Sequence, residues 1–401
     1  MTSLLTLLLL ASAQSSYRAQ YPLPGLTVPA GWGVNIHFTR TSESTTRQLR
    51  ESGFKWIRKD LYWKEVEKER GVFDFSRYDS LMNTLAQAGV RAMLILDYGN
   101  PLYREGPPRT SSERVAFLRY VRAAVQRYKG RGVVWEMWNE PNLDQYWQPR
   151  VDVREYVALA KAVGQTIRQI APAEWYVGLA SNHFDWRFLE GCFAGGLLET
   201  FDGVTVHPYR RSDPPETVLA DWQRLWSLIG RYKPAGRPVV MISGEWGYSE
   251  LYPGMNERLQ AIYAPRQYLS NLLAGVPMSI WYDWEDGPNA NDKEHRFGVT
   301  RLRGAEKLTY KQVRHLSSML AGYAYKGRVP LGSGADYLLL FQRGRSNRYA
   351  LWTTASDRQI DLPLPPGTYT LSRPGFKATF RDSSDDRVKV THEVCILTRQ
   401  G

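Results

Sequence analysis

Eight short runs rich in β-branched and aromatic residues, separated by longer segments with helical spacing, constrain this chain more than anything else in it. The runs are Trp32–Phe38, Phe54–Asp60, Val90–Asp97, Val133–Trp138, Trp175–Ala180, Phe201–Val206, Val239–Ser243 and Met278–Tyr282. Helical periodicity is clearest in Tyr78–Ala88, Ser111–Tyr128, Val153–Ile170, Val218–Tyr232 and Arg258–Leu273. Strand runs that alternate with amphipathic helices make a parallel sheet covered by helices. Polar clusters follow nearly every run. A closed barrel displays a loop after each strand, whereas an open doubly wound sheet gathers its site at one switch point. The expectation is an α/β fold, a (β/α)8 TIM barrel spanning residues 14–325.

The texture changes after Gly322. Strand-like runs Tyr337–Gln342, Arg348–Trp352, Gln359–Leu362, Thr368–Ser372 and Val388–Thr398 are divided by turns rich in Gly, Pro, Asp and Ser. Residues 326–401 are expected to form a small antiparallel β domain. A unit of that size buries little apolar surface alone, so it should pack against the barrel.

The chain opens MTSLLTLLLLASAQ, a short apolar run followed by the small residues Ala11-Ser12-Ala13. That pattern predicts a signal peptide over residues 1–13, too short to span a bilayer, and hence a secreted or periplasmic protein. No later run is long and apolar enough for a transmembrane helix. The formal charge is +12, which could draw in an acidic polysaccharide, an anionic cell envelope or nucleic acid. The charges are scattered along helical stretches such as Arg114–Lys129, where a solvated face explains them. With no basic ribbon interleaved with aromatics and no nucleic-acid motif, a nucleic-acid partner is not expected. Cys192 and Cys395 are the only cysteines, too few for a disulfide framework or a zinc site, and are expected to be two buried thiols.

The chemistry is concentrated in Val133-Val-Trp-Glu-Met-Trp-Asn-Glu-Pro-Asn142. A buried-strand pattern runs into Asn139 and Glu140, and Pro141 stops it by removing a backbone donor and fixing φ. In a barrel that places Glu140 at the carboxyl end of strand four, the catalytic face. The bland alternative is a helix cap with proline at the first helical position. It accounts for neither the flanking tryptophans nor a second acid, Glu245, in Gly244-Glu-Trp-Gly247 at the end of strand seven. Glu245 read by itself could simply pair with an arginine. Two acids on one rim suit glycosidic bond cleavage, in which one protonates the leaving oxygen and the other attacks or activates water.

Trp138-Asn-Glu-Pro141 with Glu245 resembles the retaining glycoside hydrolases of clan A. The fuller set is similar to family 39 and its relatives, which include β-xylosidases and bacterial exopolysaccharide glycosidases. It comprises Gly33-Val-Asn-Ile-His-Phe38, Trp56-Ile-Arg58, Trp63 with Glu67 and Gly71-Val-Phe-Asp-Phe75, Asp97-Tyr-Gly-Asn-Pro101 and His207-Pro-Tyr209, in that order over roughly residues 30–325. The resemblance implies a retaining β-glycosidase with Glu140 as general acid/base and Glu245 as nucleophile. Such a pair must divide its proton, with Glu245 ionised and Glu140 protonated. Arg58 is the candidate for holding Glu245 charged, and Tyr209 for orienting it. The ionised neighbour and the apolar setting of Trp135, Met137 and Trp138 should raise Glu140.

The same resemblance casts Asn139 as donor to the sugar 2-hydroxyl and Trp281 as the platform under the ring. His37 and His207 read as sugar or carboxylate contacts, or equally as structural histidines. No other residues stand at ligand spacing, so neither implies a metal. Trp246, Trp284, Trp147, Tyr98 and Tyr146 are weaker subsite candidates. Asp283, Glu285 and Asp286 form a rival acid cluster, read as a solvated loop. The expected partner is an oligo- or polysaccharide, with no cofactor. Transglycosylation at the same site, or a catalytically silent carbohydrate-binding protein, are the alternatives. The loops Asn100–Arg109, Arg210–Glu216 and Asp283–Arg296 decide cleft or pocket, and the sequence fixes neither the sugar nor the oligomeric state.

Overall fold

The computed structural model describes residues 15–382 and 387–400, so the expected leader peptide lies outside the described residues. Strands β1 (Trp32–Asn35), β2 (Trp56–Asp60), β3 (Arg91–Leu96), β4 (Val134–Met137), β5 (Trp175–Asn182), β6 (Gly203–His207), β7 (Val240–Trp246) and β8 (Met278–Trp281) close into a barrel in sequence order. Every neighbouring pair is parallel, and β8 pairs with β1. Helices α1 (Glu43–Ser52), α2 (Ser76–Ala88), α3 (Ser111–Tyr128), α4 (Val153–Ile170), α5 (Trp186–Ala194), α6 (Leu219–Tyr232), α7 (Glu257–Leu273) and α8 (Leu308–Met319) follow the strands one by one.

Local chemistry fixes the helix starts. Thr110 and Glu113 form a reciprocal capping box at α3, and Ser42, Asp152 and Asn256 accept from backbone N–H groups at α1, α4 and α7. Each such cap is worth about 1 kcal/mol.

Strand periodicity of two decides what faces the barrel interior. Trp56, Met93, Val134, Val177, Ile242, Met278 and Ile280 fill its floor as one apolar cluster. Two residues above Trp56 stands Arg58, and two above Val134 stands Glu136, so a buried polar layer lies directly on the apolar one. The outward residues join the large core between the strands and the helices. Gly247 permits a close crossing there: a Cβ on it would fall 1.8 Å from the Tyr282 carbonyl oxygen.

Beyond the barrel, β9 (Ala324–Arg328), β10 (Asp336–Arg343), β11 (Ser346–Thr353), β13 (Gly367–Arg373), β14 (Phe376–Asp382) and β16 (Cys395–Arg399) form a sheet in the order β14-β13-β16-β11-β10-β9. A short pair, β12 (Arg358–Ile360) and β15 (Val388–Val390), lies beside it. Strands β9 and β14 stand where the sequence predicts none, and the single run expected at Val388–Thr398 is two strands. One face of this sheet, with Leu339, Phe341, Ala350, Trp352 and Ile396, belongs to the barrel's own core. The other carries a separate core of Leu338, Leu351, Leu371 and Leu397 under Leu362, Leu364 and Val390. Trp352 Nε1 donates to Glu216 Oε1 at 2.7 Å, and Glu216 is held bidentate by Arg266 at 2.6 and 2.8 Å. That buried bridge ties sheet to barrel. Cys192 and Cys395 are both buried and unpaired.

Candidate active site

Glu140 and Glu245 meet in the bowl at the carboxyl ends of the strands. One oxygen of each, together with a ring nitrogen of His207, lie within 4.8 Å of one another. The backbone reaches this arrangement through an unusual set of conformations. Trp138 and Glu140 adopt φ of 62° and 45°, and Leu179, Ala180 and His183 on the adjoining β5 segment adopt 94°, 44° and 52°. Left-handed backbone costs a non-glycine residue about 1–2 kcal/mol, and such strain collects at functional sites. The two segments hold each other: Glu140 N–H donates to the Ala180 carbonyl at 3.0 Å, and Ala180 N–H to Thr205 Oγ1 at 2.9 Å.

The two carboxyls have different surroundings. Glu245 receives three donors: Asn35 Nδ2 at 3.0 Å and Arg58 Nη1 at 2.7 Å on Oε2, and the Tyr209 hydroxyl at 2.7 Å on Oε1. Glu140 is 6% exposed, and burial pushes its carboxyl above the usual range against the opposing pull of Asn182, Arg58 and His183. Burial, rather than the neighbouring carboxylate, is the leading cause. Asn182 Nδ2 donates to Glu140 Oε1 at 2.8 Å, and His207 Nδ1 lies 2.9 Å from the same oxygen. Burial lowers His207 to about 4, so its imidazole is neutral near pH 7.

Asn139 does not face a sugar position freely. Its Oδ1 accepts from Arg58 Nη2 at 2.9 Å, and the same side chain hydrogen-bonds the Tyr98 phenol. His37 stands on the rim, apart from the two glutamates, with Nε2 3.3 Å from Asp283 Oδ2 and its ring edge-on to Tyr282.

Trp281 is not the platform expected of it. It is fully buried among the outer core residues, and its Nε1 donates to the Phe297 carbonyl at 3.0 Å. The cause is strand parity: Met278 and Ile280 point into the barrel, so Trp281 points out and Tyr282 takes the inward position. Tyr282 is half-buried, and its ring meets those of Tyr209, His37 and Phe297 edge-on. Trp246, Trp284 and Trp147 are likewise core residues. Tyr98 and Tyr146 stay at the rim, stacked at 5.8 Å. The rival acid cluster is no solvated loop either. Asp283 is buried against His37, and burial raises it to about 6. Asp286 is ion-paired with Lys307 at 3.1 Å and Arg296 at 3.2 Å.

Asn35, Asn182 and Glu136 are site residues that the sequence reading passed over. Asn35 sits in the quoted Gly33–Phe38 stretch at interior parity with Gly33, a signal that periodicity offered. Asn182 offered none, because β5 runs two residues past its expected end through left-handed backbone. The donor set of Glu140, His207 and Glu245 makes a poor metal cradle: Arg58 brings a positive charge to the same place, and the nearer atoms are committed to hydrogen bonds.

A family model described as Cellulase (glycosyl hydrolase family 5) matches residues 15–286. The chain belongs to that family. It is a glycoside hydrolase, and the clan A assignment read from its motifs stands. No curated protein sequence matches the chain. Among solved structures, a family 39 glycoside hydrolase from the gut symbiont Bacteroides cellulosilyticus WH2 superposes with a TM-score of 0.80 at 22% identity, over 93% of this chain and 81% of that one. The family 39 enzyme from Xanthomonas axonopodis pv. citri gives a TM-score of 0.68 at 18% identity, covering 94% and 95% of the two chains. A family 39 β-xylosidase from Caulobacter crescentus gives 0.68 at 16% identity, covering 95% and 98%. These likenesses are of fold. Among the described residues of this glycoside hydrolase, no helix is long and apolar enough to cross a membrane.

Proposed function

We propose that this glycoside hydrolase is an exported, retaining β-glycosidase that works by double displacement on an oligo- or polysaccharide. Glu140 protonates the glycosidic oxygen while Glu245 attacks the anomeric carbon, forming a glycosyl ester. Glu140 then takes a proton from water as the ester is hydrolysed. The observation that carries this reading is the approach of the two carboxyls, with one oxygen of each within 4.8 Å. Retaining enzymes hold their carboxyls about 5–5.5 Å apart, while inverting ones leave roughly 6.5–9.5 Å for a water. The unequal surroundings support the assignment of roles. A buried carboxyl with a raised proton affinity suits the acid, and an oxygen pair fed by three donors suits the nucleophile. When the ester forms, the charge on Glu245 disappears and Glu140 releases its proton more readily, which is what the second step needs. Asn139 offers its amide donor to the 2-hydroxyl, a contact that strengthens in the transition state. Tyr282, in the place first expected of Trp281, presents an aromatic wall to the ring.

The Caulobacter crescentus enzyme of the same fold is named a β-xylosidase, so an aryl β-xyloside is the first substrate to try. The test is chemical rescue. Glu245→Gly should lose turnover, and added azide should restore it with formation of the inverted glycosyl azide. Rescue that yields the other anomer, or full activity without Glu245, would remove the proposal.

A further inference from the structure

We propose that Glu136, beneath the bowl, is a positioning residue that anchors Arg58 and whose negative charge sets the proton affinity of Glu140 and Glu245 together. The inference rests on the reading of those two glutamates as the reacting pair.

Glu136 is fully buried in β4, two residues above the apolar floor. Its Oε2 lies 2.5 Å from Arg58 Nε. Arg58 Nη1 reaches Glu245 at 2.7 Å and Nη2 reaches Asn139 at 2.9 Å. Each nitrogen of one guanidinium thus has a different acceptor. Without the anchor at Nε, the same fork could turn and engage Glu245 bidentately, moving its charge onto the nucleophile and away from Asn139.

Burying a carboxylate is costly, and an apolar residue of similar shape commonly serves a fold as well. Glu136 also has an oxygen, Oε1, with no hydrogen-bond partner. That oxygen faces Gly244, where an added Cβ would stand 3.3 Å away, directly before Glu245 in the chain. The carboxylate that pairs with Arg58 through Oε2 thus holds its other oxygen, without a hydrogen-bond partner, against the base of the nucleophile's own strand. The titratable or charged groups around it are Arg58 from β2, His207 from β6, Glu245 from β7 and Tyr156 from α4. His207 is neutral near pH 7 and the Tyr156 phenol is pushed far up by burial, so neither offsets the charge. One arginine then faces two carboxylates, and the surplus negative charge opposes loss of the proton from Glu140.

The test is a ¹³C NMR titration of protein labelled at the glutamate side-chain carboxyls, with the two signals assigned through Glu140→Gln and Glu245→Gln. Glu136→Gln keeps the shape and an acceptor for Arg58 but removes the charge. Both titration midpoints should fall, by roughly one pH unit. Midpoints that stay where the wild-type protein has them would overturn the proposal. The wild-type protein carries a second test should the variant fail to fold. In ¹⁵N-arginine-labelled protein, the Arg58 Nε–H signal should persist below the pH at which Glu245 takes its proton, because Glu136 still holds it. A signal that disappears in step with Glu245 would overturn the anchor. Both measurements read the side chains whether or not sugar is cleaved. A protein inert toward every glycoside but with shifted midpoints would defeat the catalytic reading and leave this one standing.

Discussion

Asn182→Ala isolates one determinant of the proposed acid. Asn182 Nδ2 donates to Glu140 Oε1 at 2.8 Å and is the strongest of the influences that lower that carboxyl against burial. The backbone of Asn182 is held separately by Asn142, at 2.8 Å through its N–H and 3.0 Å through its carbonyl, so the loop should survive the change. A hydrogen bond to a charged group is worth about 1.5–3 kcal/mol, and one pH unit corresponds to about 1.4 kcal/mol. Losing the donor disfavours the carboxylate, so Glu140 should hold its proton to a pH higher by roughly one to two units. Glu140 is 6% exposed, and a water entering the gap would bring the effect toward the lower figure. The assay is kcat/KM against pH for an aryl β-glycoside with a poor leaving group, for which proton donation matters. The alkaline limb reports the acid in the free enzyme and should move up, while the acidic limb should stay. An alkaline limb that moves down, or does not move, refutes the assignment of Glu140.

Glu140→Ala should slow substrates with poor leaving groups by about 10²–10⁴-fold and leave activated aryl glycosides far less affected; rates measured across a leaving-group series decide this. Trp352→Phe removes the buried donor to Glu216, about 1.5–3 kcal/mol, and should lower the melting temperature, read by thermal denaturation. His207 is held at about 4, below its ordinary value of about 6.5, because burial disfavours the charged ring. Its share of stability is complete above the ordinary value and is lost as pH falls from there toward 4. Thermal melts over that interval should decline more steeply for the wild-type protein than for His207→Asn.

The barrel was legible because its signal is repeated. Eight alternations of period and polarity survive errors of one or two residues at each strand end. Glu140, Glu245 and Tyr209 were legible because each stands at or just beyond the end of a strand whose interior is unambiguous, and Arg58 because it shares the inward parity of Trp56 in β2; the strands then carry them to one bowl. What escaped depended on local backbone geometry. Trp281 and Tyr282 differ by one position, and only the inward parity of Met278 and Ile280 shows which of them faces the sugar. Asn182 reaches Glu140 through left-handed residues at Leu179 and Ala180, a detour that a two-residue period cannot anticipate. Glu136 read as part of an apolar run around tryptophans, and its partner Arg58 lies 78 residues away in sequence. In the second sheet, β14 alternates Lys377, Thr379 and Arg381 with Phe376, Ala378 and Phe380, a two-residue period that is itself a strand signal and that the sequence reading passed over.

The anomer first released from an aryl β-glycoside, followed by proton NMR before mutarotation, tests the central claim most directly. Two carboxyls as close as Glu140 and Glu245 predict the β-anomer first, with the α-anomer appearing only as the solution equilibrates. The α-anomer first would mean that water, not Glu245, attacks the sugar, and would contradict the account.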